Sequence, residues 1–223
     1  MKKFPIGIQT FSELIQENYV YVDKTKRIYE LITTGKYYFF ARPRRFGKSL
    51  LISTLGEIFS GNKQLFDDLD ISSLDYVWKK YPVITISFSD IPCLTSEELT
   101  RGIILQLIDI AEKYGINVDH NLLASQMLQE IVKKLSKNNR VVLLVEEYDY
   151  PFLQQAYNTA VVDKICDVLN DFYVVIQGLD EYLEFVFVEG YGRIPTKSIY
   201  SVLDHLEDIS LSSRYGDLFQ QIS

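Results

Sequence analysis

The sequence predicts an α/β protein with a central, mainly parallel five-stranded sheet flanked by helices in three layers. Three observations predict it. Short apolar runs of β type alternate with longer stretches of helical period. The run at 141–145, Val-Val-Leu-Leu-Val, is apolar at every position, as a strand buried on both faces must be. Charged clusters follow the ends of these runs. Strands separated by helical crossovers form a parallel sheet, and ligands of such sheets bind outside the carboxyl ends of the strands.

The elements follow in order. Asp23-Lys24-Thr25 starts a helix that ends near Gly35, with Asp23 as its N-cap. Tyr37–Ala41 is the first strand. Lys48–Phe59 carries Leu50, Leu51, Leu55, Ile58 and Phe59 at helical spacing, and Gly61-Asn62 ends it. Residues 83–88, entered through Pro82, form the second strand. Thr95-x-x-Glu98 reads as a capping box for a helix running to about Tyr114. Another helix covers 121–135, and 141–145 is the third strand. Val161, Val162, Ile165, Val168, Leu169 and Phe172 make one helical face. Residues 185–188 are a fourth strand, 198–206 a short helix and 209–211 a weak fifth strand.

Composition narrows the function. The 223 residues suffice for one sizeable core and not for two full domains. With 47% hydrophobic and 24% charged residues the chain is an ordinary globular one. A net charge of −7 does not suit a dedicated duplex-DNA binder. The one dense basic cluster, Arg42, Arg44, Arg45 and Lys48, suits the smaller polyphosphate anion. Cys93 and Cys166 lie far apart and form no metal-like pair, while lone thiols fit a reducing cytosol. The Met-Lys-Lys-Phe-Pro-Ile-Gly start has no apolar segment of a signal peptide, and no run is long enough to span a membrane. A cytoplasmic location is expected.

The chemistry concentrates in two motifs. Arg42-Pro43-Arg44-Arg45-Phe46-Gly47-Lys48-Ser49 matches a phosphate-binding P-loop, G-x-x-x-x-G-K-[ST], except that Arg42 stands at the first glycine. Gly47 would let backbone N–H groups approach phosphates at the N-terminus of the following helix. Lys48 would reach the β- and γ-phosphates of a nucleoside triphosphate, and Ser49 would ligate Mg²⁺. In Val141-Val142-Leu143-Leu144-Val145-Glu146-Glu147-Tyr148-Asp149 an apolar strand ends in two acids, the Walker B pattern. Glu146 is then the metal-side acid and Glu147 the base that polarises the attacking water. The competing reading is a strand that exits into a solvated acidic loop.

A third position lies after the fourth strand, where Glu189 stands in Phe185-Val186-Phe187-Val188-Glu189-Gly190. An ionised carboxylate about 4 Å from a phosphate oxygen would cost about 4 kcal/mol at an effective dielectric of about 20. Glu189 can avoid this by pointing away, by pairing with Arg193 or by helping to hold Mg²⁺, or it is simply a solvated loop acid. Arg193 and Arg214 are candidates to stabilise γ-phosphate charge, or else surface arginines. His120 reads as a polar loop residue.

The chain resembles the bacterial AAA-ATPase-like domain commonly found ahead of a PD-(D/E)XK nuclease-like region. The resemblance is carried by Pro5-Ile6-Gly7 with Tyr21-Val22-Asp23-Lys24-Thr25, by 42–50, and by 141–149 with Pro151. It continues through 172–187, which includes Gly178-Leu179-Asp180-Glu181-Tyr182, and through Asp208-Ile209-Ser210-Leu211 with Arg214-Tyr215. It covers about 4–216, so 1–216 is read as an AAA-like core and 217–223 as a C-terminal tail. The resemblance implies an ATP-binding core in which Arg42 is the family's habit. It also implies that Ile6 and Gly7 pass near the adenine and that Arg45, Phe46 and Leu50 join Gly47, Lys48 and Ser49 around the nucleotide.

There are departures. The family usually has Asp-Glu-Tyr-Asp where this chain has Glu146-Glu147-Tyr148-Asp149, and commonly Lys where Tyr150 stands. It usually shows Thr-Gly-Val-Ser-Lys where this chain has Glu189-Gly190-Tyr191-Gly192-Arg193. After the fifth strand candidate neither a lid nor a nuclease-like region is read. The expectation is an ATP- and Mg²⁺-binding domain with slow or partner-dependent hydrolysis, in which Glu147 and Arg193 are catalytic and Ser49 and Glu146 hold the metal. The alternatives are a non-hydrolysing nucleotide switch, a degenerate remnant acting as a protein-interaction module, or self-association. Nucleic-acid binding through Arg42, Arg44 and Arg45 is disfavoured by the net charge.

Overall fold

The computed structural model describes residues 2–193 and 205–219. Among these residues five strands form one sheet: β1 Tyr37–Ala41, β2 Val83–Ser87, β3 Val141–Glu146, β4 Leu183–Gly190 and β5 Glu207–Asp208. Their order is β2-β3-β4-β1-β5, and every neighbouring pair is parallel. The first strand therefore lies beside the fourth, which brings the carboxyl ends of β1, β3 and β4 together. In register, Phe40 lies opposite Glu189 and Val145 opposite Val188, so Glu146 and Glu189 leave adjacent strands at the same level.

Alternation along the strands builds the layers. Val141, Leu143 and Val145 face one core with Ile84, Ile86, Val186 and Val188, while Val142 and Leu144 face the other with Phe40, Phe185 and Phe187. The first core is covered by α4 Ser96–Lys113, α5 Ala124–Leu135 and α7 Thr159–Gln177. The second is covered by α1 Phe11–Gln16, α2 Thr25–Thr34 and α3 Lys48–Phe59. A short helix, α6 Tyr150–Gln154, leads away from the end of β3. This three-layer arrangement with an all-parallel sheet is the P-loop NTPase fold expected from the sequence. No helix among the described residues is long and apolar enough to cross a membrane.

Several boundaries differ from the sequence expectation. Helix α2 begins at Thr25 with Lys24, not Asp23, at the N-cap. Asp23 nevertheless does capping work, because its Oδ1 accepts from the Thr25 N–H at 2.8 Å and its Oδ2 from the Asp70 N–H at 2.6 Å. At α4, the Thr95 hydroxyl accepts from the Glu98 N–H at 3.1 Å, while the Glu98 carboxylate accepts from the Leu94 N–H at 3.1 Å. The fifth strand is Glu207–Asp208 and not 209–211. Ile209 is buried below it and its N–H donates to the Phe39 carbonyl, whereas Leu211 is 85% exposed. The expected helix at 198–206 lies outside the described residues except for its last two.

Candidate functional site

The site is built where the loop after β1 turns into α3. Arg45 and Gly47 both take left-handed backbone, with φ of 69° and 71°. Gly47 is the N-cap of α3, and a Cβ there would meet nothing within 4 Å, so glycine is required by conformation and not by crowding. The first turn of α3 then presents Lys48 and Ser49 toward the ends of β3 and β4.

Lys48 is buried, and its ammonium has three neighbours. Nζ lies 3.7 Å from Glu189 Oε2, donates to the Pro43 carbonyl at 3.5 Å, and sits 4.4 Å from the centroid of the Tyr191 ring. Glu189 is fully buried. Its Oε1 accepts from the Glu147 N–H at 3.0 Å, while Oε2 has no hydrogen-bond partner. Burial pushes the Glu189 carboxyl up to about 8 against the opposing pull of Lys48. Glu189 neither points away from the loop nor pairs with Arg193, which is bound to Asp208; it faces Lys48 itself.

Burial pushes the Glu146 carboxyl up to about 7 against the opposing pull of the Ser49 hydroxyl, with Glu147 and Asp90 adding to the rise. Glu147 has left-handed backbone, φ 50°, and its Oε1 accepts from the Tyr191 hydroxyl at 2.6 Å. That hydroxyl also accepts from Arg44 Nε at 2.9 Å. Tyr191 thus straps the end of β4 to the acidic turn and to the loop. Its own backbone is fixed by Asp149, whose Oδ2 accepts from the N–H groups of Tyr191 and Gly192 at 2.8 and 2.9 Å. Burial raises the Asp149 carboxyl, and its Oδ1 has no partner.

On the other side of the loop lies a cavity of about 450 Å³. Arg45, Phe46, Gly47 and Leu50 line it from the loop and α3; Tyr21, Val22 and Lys24 line it from the segment before and at the start of α2. Pro5 and Leu218 also line it. Burial raises the Tyr21 hydroxyl well above its usual range. Lys24 Nζ donates to the Leu218 carbonyl at 2.9 Å, so the segment read as a tail packs onto the cavity.

The structure therefore places Lys48, Ser49, Glu146 and Glu147 around one point and Arg45, Phe46, Gly47 and Leu50 around the adjoining cavity. Ile6 is 92% exposed, and Pro5 is the residue of that stretch that reaches the cavity. Gly7 takes φ of 82° in the turn beside it. Arg193 forms an ion pair with Asp208 and packs over the Phe39 ring at 5.7 Å. Arg214 donates to the Thr34 hydroxyl at 3.2 Å, at the end of α2. Sequence reasoning missed Tyr191 and Asp149 as site builders. The motif around Asp149 was visible, but only the turn after β4 shows what its carboxylate holds.

A parallel α/β sheet whose first strand feeds a glycine-started helix bearing a buried lysine and a half-buried serine, opposite two acid-ended strands, defines a P-loop NTPase-type domain. The chain belongs to the AAA-ATPase-like family, described as predicted AAA-ATPase, whose model matches residues 5–200. This places it among nucleotide-binding AAA-like domains. It is 37% identical over 221 residues to an uncharacterised protein in the vnfD 5′ region of Azotobacter chroococcum mcd 1. That match covers 97% of this chain and 42% of the relative, so the chain spans under half of the relative's length. Among solved structures, it is similar to a chain of Drosophila ORC bound to GC-rich DNA and Cdc6, at 12% identity and a TM-score of 0.38, covering 82% of this chain and 27% of that one. Drosophila ORC bound to AT-rich DNA and Cdc6 matches at 12% identity and a TM-score of 0.39, covering 90% and 28%.

Proposed function

We propose that this chain binds Mg-ATP and hydrolyses it slowly or only with a partner. The observation that carries this is the buried Lys48 ammonium at the start of α3, facing the acid-ended strands β3 and β4 with a cavity alongside that has room for a base. Backbone N–H groups at Gly47–Ser49 and the Lys48 ammonium hold the phosphates. Arg45, Phe46, Leu50 and Pro5 surround the adenine, with Ile6 and Gly7 in the turn beside it.

Magnesium fits the residues present. Ser49 and Glu146 are two hard oxygen donors, and the Ser49 hydroxyl lies close enough to draw the Glu146 carboxyl down. Among the described residues no group of three or more His, Cys, Asp and Glu could hold a metal ion. Magnesium suits such a site because it keeps waters and shares phosphate oxygens. When bound it would neutralise charge on the β- and γ-phosphates. Glu146 is one methylene longer than aspartate and reaches toward Ser49 from the end of β3. Glu147 serves as base once its carboxylate leaves the Tyr191 hydroxyl. Arg193 supplies charge to the γ-phosphate only by leaving Asp208.

Calorimetric titration of Mg-ATP into wild type and Lys48→Ala tests the binding. Saturable binding lost in the variant supports it, and unchanged affinity removes it. Phosphate release that disappears in Glu147→Gln supports hydrolysis. A second reading is favoured by the Tyr191 bond that occupies Glu147: a non-hydrolysing nucleotide switch, or a remnant that works as a protein-interaction module or self-associates. Nucleotide-dependent binding without any phosphate release would select the switch. We place the chain in the cytoplasm, since a lone buried thiol such as Cys93 fits a reducing compartment. With a net charge of −7, nucleic acid is not a proposed ligand. The core of 1–216 is read as the nucleotide-binding portion of an architecture like those with a following nuclease-like region, and no nuclease step is assigned to it.

A further inference from the structure

We propose that the resting site selects a nucleoside diphosphate over a triphosphate, and that Tyr191 sets this selectivity. The inference rests on reading the Gly47–Ser49 loop as the phosphate site, and it deepens that reading.

Lys48 is shared by the β- and γ-phosphates, but the β-phosphate also has the backbone N–H groups at the start of α3, whereas the γ-phosphate depends on the ammonium, and the ammonium is already surrounded. Glu189 Oε2 is at 3.7 Å, the Pro43 carbonyl at 3.5 Å and the Tyr191 ring centroid at 4.4 Å. The backbone donors at the start of α3 are not involved in these contacts and remain for a diphosphate. Two of the three neighbours are anchored. Glu189 stands in β4, paired on one side with β1 and on the other with β3, and the Glu147 N–H holds its Oε1. Pro43 belongs to the loop that makes the cradle.

Tyr191 is the neighbour that can leave. It stands one residue past the end of β4 and is only half-buried. Asp149 fixes its backbone N–H, so it is the side chain that can swing, and that is held by its hydroxyl, which bridges Glu147 Oε1 at 2.6 Å and Arg44 Nε at 2.9 Å. The aromatic face over Lys48 adds attraction that a third phosphate has to replace. While the strap is closed it covers the ammonium and holds the base. A triphosphate therefore binds only after Tyr191 swings out, and that same movement frees Glu147. Selectivity for the diphosphate and slow hydrolysis are then one contact.

The test is calorimetric titration of Mg-ADP and Mg-ATP into wild type, Tyr191→Ala and Tyr191→Phe, with melting curves confirming that each variant is folded. Wild type is expected to bind Mg-ADP about tenfold more tightly than Mg-ATP. Tyr191→Ala brings the two within about threefold by strengthening Mg-ATP, and Tyr191→Phe keeps most of the gap because it keeps the ring. Wild type binding Mg-ATP as tightly as Mg-ADP overturns the inference and leaves the phosphate site standing. So does a gap that survives Tyr191→Ala. Failure to bind either nucleotide removes both.

Discussion

Lys48 Nζ and Glu189 Oε2 stand 3.7 Å apart, with the two side chains 7% and 0% exposed. The pair joins the first turn of α3 to the end of β4 and lies out of water. Burial pushes the Glu189 carboxyl from its ordinary 4.5 up to about 8, with Lys48 opposing the rise. Between those values the folded chain holds a proton that the unfolded chain releases. Stability must then fall as pH rises through that window, and the loss is complete above about 8. Glu146, pushed up to about 7, adds to the same slope. The melting temperature is expected to drop between about pH 5 and pH 8 by the equivalent of a few kcal/mol. Glu189→Gln cannot titrate, so it should flatten part of that slope. An identical slope in the variant would place the dependence on other groups.

Gly190 is required by packing. A Cβ there would lie 2.5 Å from Asp149 Oδ1 and 2.5 Å from Tyr148 Cδ1, both in buried side chains. Tyr148 cannot yield easily, because its hydroxyl donates to the Gly192 carbonyl at 2.6 Å and its ring meets Phe39 edge-on. Gly190→Ala is expected to destabilise by about 3 kcal/mol, read as a shift in the denaturant midpoint. A loss below about 1 kcal/mol would mean the turn after β4 relaxes at little cost.

Gly47 makes the opposite case. Its φ is 71° and open space surrounds the place where a Cβ would go. Gly47→Ala should cost only about 1 kcal/mol of stability, the strain of a left-handed alanine. Nucleotide affinity should fall far more, by at least about tenfold, since phosphates approach this backbone. Equal losses in melting and binding would show that the loop is a structural turn.

Much of this was legible in sequence, for identifiable reasons. Strand β3 and helix α3 follow from patterns that burial enforces: five apolar residues in a row, and apolar residues at helical spacing after Gly47-Lys48-Ser49. Strand β5 was displaced because hydrophobicity marks burial and not pairing. Ile209 is buried yet follows the strand, while the pairing residues Glu207 and Asp208 are exposed. Asp23 was placed one position too far in, since an Asp side chain can serve the first turn from before the N-cap. The Tyr191 strap had no sequence signal at all. One tyrosine among 16 acquires meaning only when the ends of β1, β3 and β4 meet.

The cavity at the other side of the loop can be separated from the phosphate cradle by one substitution. Val22 lines it while remaining 40% exposed, so a larger side chain can enter the mouth without repacking a core. A tryptophan there would project into the cavity of about 450 Å³ and contest the position of a planar base. Val22→Trp is expected to weaken Mg-ATP binding by at least about tenfold while the melting temperature changes little. Pyrophosphate lacks a base and engages only the loop, so its affinity should be the same in the variant and the wild type. Equal weakening of both ligands would show that the tryptophan disturbs the loop through Arg45 and Phe46, and the base would have to be sought elsewhere. Loss confined to Mg-ATP would assign the cavity to the base and the Gly47–Ser49 turn to the phosphates.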